Sequence, residues 1–331
     1  MASCWPRPDK STRRSTALAT AWSRCLLRSA SWRPRWPGTN CERSGAKLML
    51  GQSIIHNGRL CRLEEASFNL DDIDITYGYG CYEVLRLSDG RLYFPEFHEE
   101  RLLASARLLG FKHDLVAGQL VAALRSLITA NGLENSTIKV MLIAHEDRPA
   151  DWYAFQLPLV VPPADAHRAG VSCLLYHGER PFPTAKSLGM LLSTIAFREA
   201  KRLGCYDALL INHRGQLTEG TRTNLFWLDA GTPGLVFTPP SGDVLAGITW
   251  RTIITALSAA GVTVEERPLY LSELRQGKVS LLMTSTSSDI IPVRAVYGLA
   301  APGTASELPL NPAIPDLQRI YGEWLVIQGL K

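Results

Sequence analysis

Apolar and polar positions follow two different periods along this chain, and from residue 53 onward the periods take turns. Ser53 to Leu63 sets Ile54, Ile55 and Leu60 around Asn57-Gly58, the pair best suited to a two-residue hairpin turn. A β-rich run from Tyr77 to Phe94 folds back at Asp89-Gly90. The period then lengthens. Leu102, Leu103, Ala106 and Leu109 mark one face of a helix over 98–109 that Gly110 stops, and a second helical stretch runs from Leu115 to Ala130 before Gly132. Ile138 to Ile143 and Ala154 to Val161 predict two strands joined by a polar loop over 145–153. Pro162-Pro163 interrupts the pattern and marks a domain junction.

Beyond the junction the alternation resumes. Val171 to Tyr176 predicts a strand and Leu188 to Leu203 a helix closed by Gly204. Ala208 to Ile211 and Leu225 to Leu228 predict strands around a turn-like T-E-G-T-R-T-N that carries Glu219. The helix between Gly247 and Gly261 is marked at both ends, and its first amides and positive dipole end form a seat for phosphate. Val279 to Met283 reads as a buried strand running into Thr284-Ser-Thr-Ser-Ser, and Pro315 to Ile327 as a closing helix with proline first. Strands interleaved with helices in two halves predict an α/β class. The expected division is a small N-terminal α/β domain over 49–163 and a larger C-terminal domain over 164–331.

Composition changes this picture at the start of the chain. At 331 residues and 46% hydrophobic content, two packed units have material for their cores. The net charge of +4 is misleading, because the first 48 residues hold 10 of the 35 lysines and arginines but 2 of the 31 acids. What remains is 25 basic against 29 acidic residues, with no basic stripe, which excludes a nucleic-acid footprint. That leading segment is rich in Arg and Ser and contains four Trp and four Pro. Met49 is taken as the working start, with residues 1–48 a disordered or non-native extension; a transit peptide is the alternative. No apolar run is long enough for a membrane helix. Seven scattered cysteines, without C-x-x-C or a Cys/His cluster, argue for reduced thiols, a cytoplasmic compartment and no metal site.

Candidate chemistry centres on two residues. Lys186 precedes the largely apolar run Leu188 to Ile195, and a lysine amine is a nucleophile for carbonyl carbon; a snorkelling surface lysine is the plain alternative. Glu219, 33 residues later, would suit the nitrogen of a heterocycle, or be a surface turn residue. Arg101 near a helix start, the 284–288 hydroxyls and the glycines around Tyr79 each have ordinary readings too. Asp71, Asp72 and Asp74 lack a calcium-loop pattern and read as a solvated turn. Neither a P-loop nor a G-x-G-x-x-G between strand and helix is present.

Taken together, G-Y-G-C-Y-E at 78–83, F-H-E-E-R-L at 97–102, K-S-L at 186–188 with G-C-Y-D-A-L-L at 204–210, T-E-G-T-R-T-N at 218–224, and L-A-G-I-T at 245–249 with T-S-T at 284–286 resemble the class IV pyridoxal-phosphate-dependent aminotransferases. That family includes D-amino-acid and branched-chain aminotransferases and aminodeoxychorismate lyase. The resemblance runs from about Ser53 to Ile327. It implies fold type IV, with two α/β domains and pyridoxal phosphate at their interface. It makes Lys186 the catalytic amine bonded to the cofactor and Glu219 the partner of the ring nitrogen. Arg101, Ile248, Thr249 and Thr286 would hold the phosphate, and Leu245 would pack on the ring. Tyr82 and Glu83 would stand beside the substrate; Arg148, in a loop outside the family pattern, is a candidate clamp for the substrate carboxylate, an exposed loop arginine being the plain alternative. Tyr82-Glu83 tilts the reading toward transamination between an amino acid and a 2-oxo acid rather than toward pyruvate elimination by a lyase. Val84 points to the D-amino-acid enzymes. Tyr79, Gly189 and the 144–153 loop depart from the family pattern. A homodimer is implied. A non-catalytic scaffold on the same fold would be expected to lack Lys186 or Glu219.

Overall fold

The computed structural model describes residues 49–68 and 71–331; the expectations for residues 1–48 lie outside the described residues. The chain first builds a six-stranded sheet from β1 (Leu50–His56), β2 (Arg59–Arg62), β3 (Gly80–Ser88), β4 (Arg91–Leu92), β5 (Ser136–Ile143) and β6 (Asp151–Leu157), in the order β2-β1-β6-β5-β3-β4. Asn57-Gly58 closes β1 onto β2, with His56 paired to Arg59. Helices Pro95–Leu109 and Gln119–Asn131 cover one face of this sheet. Leu85 and Leu87 of β3 and Ile138, Val140 and Leu142 of β5 meet Leu102, Ala106, Leu120 and Leu124 there, all fully buried or nearly so. Each such leucine contributes about 1.5–3 kcal/mol by leaving water.

Because side chains alternate across a strand, the other face of β3 carries Tyr82, Val84 and Arg86, and that of β5 carries Thr137 and Lys139. This second face of the sheet is turned toward the functional cleft.

Residues 171–307 form the second sheet. Its strands are β7 (Val171–His177), β8 (Asp207–Ile211), β9 (Gln216–Gly220), β10 (Asn224–Asp229), β11 (Leu235–Thr238), β12 (Thr263–Glu266), β13 (Leu269–Tyr270), β14 (Val279–Ser285), β15 (Asp289–Tyr297) and β16 (Ala305–Glu307). The path β10-β14-β15-β7-β8-β9 returns to β10 through one pair, Asn224 opposite Glu219, so six strands close into a barrel. Alternation again sorts the side chains. Leu225, Trp227, Leu281, Met283 and Leu209 fill the interior, while Phe226, Leu228 and Leu282 pack outward beneath helices Ile248–Ala259 and Ile314–Ile327.

Several expected elements shift. The helix foreseen from Leu188 begins at Leu191, because residues 186–188 instead lie extended beside β3. The strand foreseen over 154–161 runs over Asp151–Leu157, which shortens the polar loop before it. Glu219 belongs to a strand rather than a turn. Among the described residues, the cysteines are free thiols and no helix is long and apolar enough to cross a membrane.

Candidate active site

The lysine comes first. Gly80, at the start of β3, has no room for a side chain, since a Cβ there would meet the Leu142 carbonyl at 2.3 Å. The bare backbone lets the segment carrying Lys186 approach. Tyr82 N–H donates to the Lys186 carbonyl and Leu188 N–H to the Gly80 carbonyl, both at 2.9 Å, while Lys186 N–H donates to Ser105 Oγ at 3.1 Å. The main chain of Lys186 is therefore fixed by two elements, β3 and helix Pro95–Leu109. Its Nζ stands 4.7 Å from the centre of the Tyr82 ring.

Glu219 lies across the cleft and is almost fully buried. Its Oε1 accepts from Arg180 Nε at 2.7 Å, and its Oε2 receives only the Leu245 amide at 3.4 Å. Burial pushes this carboxyl above the usual range, against the pull of Arg180. Arg180 is held in turn by the carbonyls of Ala185 and Pro183, so the chain just before Lys186 also carries the guanidinium on Glu219.

Asn224, the ladder partner of Glu219, donates from Nδ2 to the Leu245 carbonyl at 2.7 Å. Its Oδ1 occupies the space that a Cβ on Gly247 would need, at 2.0 Å. Gly247 caps helix Ile248–Ala259, whose first helical bond runs from Arg251 N–H to the Gly247 carbonyl. The amides of Ile248 and Thr249 precede that bond and are turned out of the helix.

Arg101 reaches the same helix end. Nε and NH2 donate to the two oxygens of Glu83 at 2.7 and 2.8 Å, and NH1 donates to the Ala246 carbonyl at 3.0 Å. Two of its five N–H groups have no partner among the described residues. Glu83 is fully buried and also accepts from His98 Nδ1 at 2.6 Å. Burial alone would raise its pKa, but Arg101 and then His98 outweigh that and hold it well below the usual carboxylate range. Burial pushes His98 below its ordinary value, against the pull of Glu83.

One cleft is lined by Tyr82, Arg101, Arg180, Lys186, Glu219, Leu245, Ile248, Thr249 and Thr286 together. Two of the expected substrate contacts fall elsewhere. Glu83 is on the helix-covered face of β3, one residue out of phase with Tyr82, and it anchors Arg101 instead of lining the cleft. Arg148 is half exposed and bound to Asp151 at 2.7 Å and Asp72 at 3.6 Å. Asp72 and Asp74 are not merely solvated: Asp72 meets His145 Nδ1 at 2.7 Å, and Asp74 accepts from the Glu146 amide at 3.0 Å. These two acids and His145 lie close enough to share an ion, yet Arg148 already supplies positive charge there.

The sequence reading missed Arg180, and within the 284–288 hydroxyl cluster it singled out Thr286 rather than Thr284. Arg180 sits among Gly178, Pro181 and Pro183 with no periodic signal. Thr284 is buried, lines the cleft, and its Oγ1 has no partner among the described residues.

Pyridoxal phosphate, implied by the resemblance, makes three demands on these residues: an amine for the aldehyde, an acceptor for the ring nitrogen and donors for the phosphate. Lys186, the under-used Glu219 Oε2, and the set comprising the Ile248 and Thr249 amides, the two spare Arg101 N–H groups and the orphaned Thr284 hydroxyl meet them. The residues present fit the cofactor.

Comparison with known proteins agrees. The family model "Amino-transferase class IV" matches residues 80–296. The D-alanine aminotransferase of Bacillus licheniformis is 25% identical over 265 residues, covering 76% of this chain and 92% of that protein. The branched-chain-amino-acid aminotransferase of Escherichia coli K12 is 27% identical over 267 residues, covering 74% and 85%. A crystal structure of the Escherichia coli branched-chain enzyme superposes with a TM-score of 0.72 at 25% identity, covering 85% of this chain and 94% of that one. With the match spanning both sheets and every wall of the cleft, the chain belongs to the class IV aminotransferases, which depend on pyridoxal phosphate and have fold type IV.

Proposed function

We propose that the protein moves an amino group from an amino acid of D- or branched-chain type to a 2-oxo acid, with Lys186 as the catalytic residue. The observation that carries this reading is that Lys186, Glu219 and an open helix N-terminus border one cleft. Bound pyridoxal phosphate supplies an electron sink conjugated to the substrate nitrogen. With the cofactor bound, Lys186 Nζ would be the group that carries the proton at the substrate Cα, accepting it as base and giving it up as acid. Glu219, steadied by Arg180, would accept from the protonated ring nitrogen. Arg101, Ile248, Thr249, Thr284 and Thr286 would hold the phosphate, and Leu245 would border the ring. Tyr82 borders Lys186, its ring 4.7 Å from Nζ.

We further infer two domains meeting near Pro162-Pro163, a cytoplasmic homodimer, and no role for Arg148 as a clamp within its own subunit. The two sheets, which divide between residues 50–157 and 171–307, support the first of these.

Purified protein is expected to show a visible absorption band with pyridoxal phosphate that Lys186→Ala abolishes and that a good amino donor bleaches. D- and L-alanine, glutamate and leucine, tested against pyruvate and 2-oxoglutarate, identify the donor. A protein that stays colourless sinks the reading, and pyruvate released from aminodeoxychorismate without an acceptor redirects it to the lyase.

A further inference from the structure

Four aromatic rings stack in a column between the helix that carries Arg101, Pro95–Leu109, and the helix Ile314–Ile327. Phe97 lies on Phe94 with centroids 5.9 Å apart, Phe94 on Trp324 at 5.8 Å, and Trp324 on Tyr321 at 6.2 Å. The interplanar angles are 9°, 26° and 13°. Stacking at these separations is favourable beyond the area it buries.

Both ends of the column land on one turn of a third helix. At the Phe97 end, the Arg251 guanidinium stands 4.2 Å above the ring, and its NH1 donates to Glu100 Oε2 at 2.9 Å. At the other end, the hydroxyl of Tyr321 meets Thr252 Oγ1 at 3.0 Å, and both residues are buried. The Thr252 hydroxyl already donates to the Thr249 carbonyl at 3.1 Å, so Tyr321 is the donor. Arg251 and Thr252 come three and four residues after Ile248, one turn beyond the amides that face the phosphate. Phe97 comes one turn before Arg101, on the same side of its helix.

The middle of the column is held in a costly backbone. Phe94 has φ 50° and ψ 50°, the left-handed region that a bulky residue rarely enters. It is the N-cap of its helix, yet a phenylalanine has no oxygen to offer the first amides. A conformation of this kind persists where its surroundings fix it. Here Trp324 and Phe97 hold the ring, while Arg91 NH1 donates to the Gly329 carbonyl at 2.6 Å and the Tyr93 hydroxyl donates to the Leu330 carbonyl. The residues that follow helix Ile314–Ile327 thus grip the corner just before Phe94.

We propose that Phe94 and Trp324 are positioning residues for the cofactor phosphate: their stack sets the spacing between Arg101 and the Ile248 and Thr249 amides. Neither ring borders the cleft, so each acts through the helices it joins. Arg101 and the two amides belong to helices packed on different sheets, and such donors must be held to within about 0.5 Å to act together. The inference rests on the aminotransferase reading and concerns how its cofactor is gripped.

Pyridoxal phosphate and pyridoxal test it, because they differ only in the phosphate. Each is titrated into cofactor-free protein, with binding read by equilibrium dialysis and by the visible band. Trp324→Leu should cut the preference for the phosphorylated form roughly tenfold, about the worth of one charge-assisted hydrogen bond, and leave pyridoxal binding as it was. Phe94→Leu, which breaks the same stack from the other helix, should match it, and Trp324→Phe should restore most of the loss. Tyr321→Phe keeps all four rings and removes only the hydroxyl on Thr252, so it tests the link without disturbing the stack; a loss of roughly threefold is expected. An unchanged preference in these variants, or a loss that falls equally on both compounds, overturns the proposal. A wild-type protein that forms no band removes the aminotransferase reading and this inference with it, whereas a wild-type band with the preference intact in the variants removes the positioning role alone.

Discussion

Two buried glutamate–arginine pairs each send an arginine into the cleft, Arg101 and Arg180, and they are built to opposite ends. Glu83 is saturated: Arg101 forks onto both oxygens and His98 adds a third bond, so its charge is locked in. Glu219 is left short, with Arg180 on one oxygen and a long contact to an amide on the other, and burial raises its proton affinity. The same two residue types thus make a structural anchor in the first sheet and a receptive acid in the second. What differs is the number of donors, not the depth.

The largest effect expected from breaking this contrast is on the anchor. Glu83→Ala strips both Arg101 and His98 of their acceptor and should cost about 3–5 kcal/mol in urea unfolding, as removing one member of a buried pair generally does. Glu219→Gln, at the under-bonded site, should cost about 1 kcal/mol or less in the cofactor-free protein yet abolish most transamination. A Glu219→Gln penalty matching that of Glu83→Ala would erase the distinction drawn between the pairs.

Acidity sharpens the contrast further. Glu83 titrates below the ordinary value of 4.5 in the folded protein, so its stabilisation is complete above that value and is lost as pH falls through its folded value. Glu219 is shifted upward from 4.5, so its contribution is complete below that value and is lost as pH rises through its folded value. In stability profiles of cofactor-free protein, Glu83→Gln should flatten the acid limb and Glu219→Gln the limb just above pH 4.5. Identical profiles for both variants would show that the pairs behave alike.

The smallest effect concerns the cleft's unpartnered hydroxyl. Thr284→Val keeps the shape and removes a buried group that lacks a partner. Apo stability should hold or rise by up to about 1 kcal/mol, while pyridoxal phosphate affinity, read by fluorescence titration, should fall severalfold. Unchanged affinity would remove Thr284 from the phosphate seat.

Much of this was legible before any coordinates. The Asn57-Gly58 hairpin, the helices ended by Gly110, Gly132 and Gly261, and the segments carrying Lys186, Glu219 and Thr249 all announce themselves locally. Glu83 was misjudged although its signal was present: Cys81, Leu85 and Leu87 are the buried positions of a period-two strand, and Glu83 falls in step with them. Gln216 to Gly220 was hidden by its own composition, since Q-L-T-E-G is polar yet entirely buried where the barrel closes. β15 carries Pro292, which argues against a central strand, but pairing with β7 begins one residue later at Val293. Arg180 reaches Glu219 across 39 positions, and no local pattern reports a contact of that range.

Asn224 has a consequence for how the site can change over time. Its backbone lies opposite Glu219, its amide nitrogen holds Leu245, and its oxygen fills the gap left by Gly247. One side chain therefore acts as a ruler between the acid and the helix that faces the phosphate. Lineages of this enzyme should drift at 224 and 247 together or at neither, because altering one alone would miscalibrate a gap that the ligand itself cannot stretch to span.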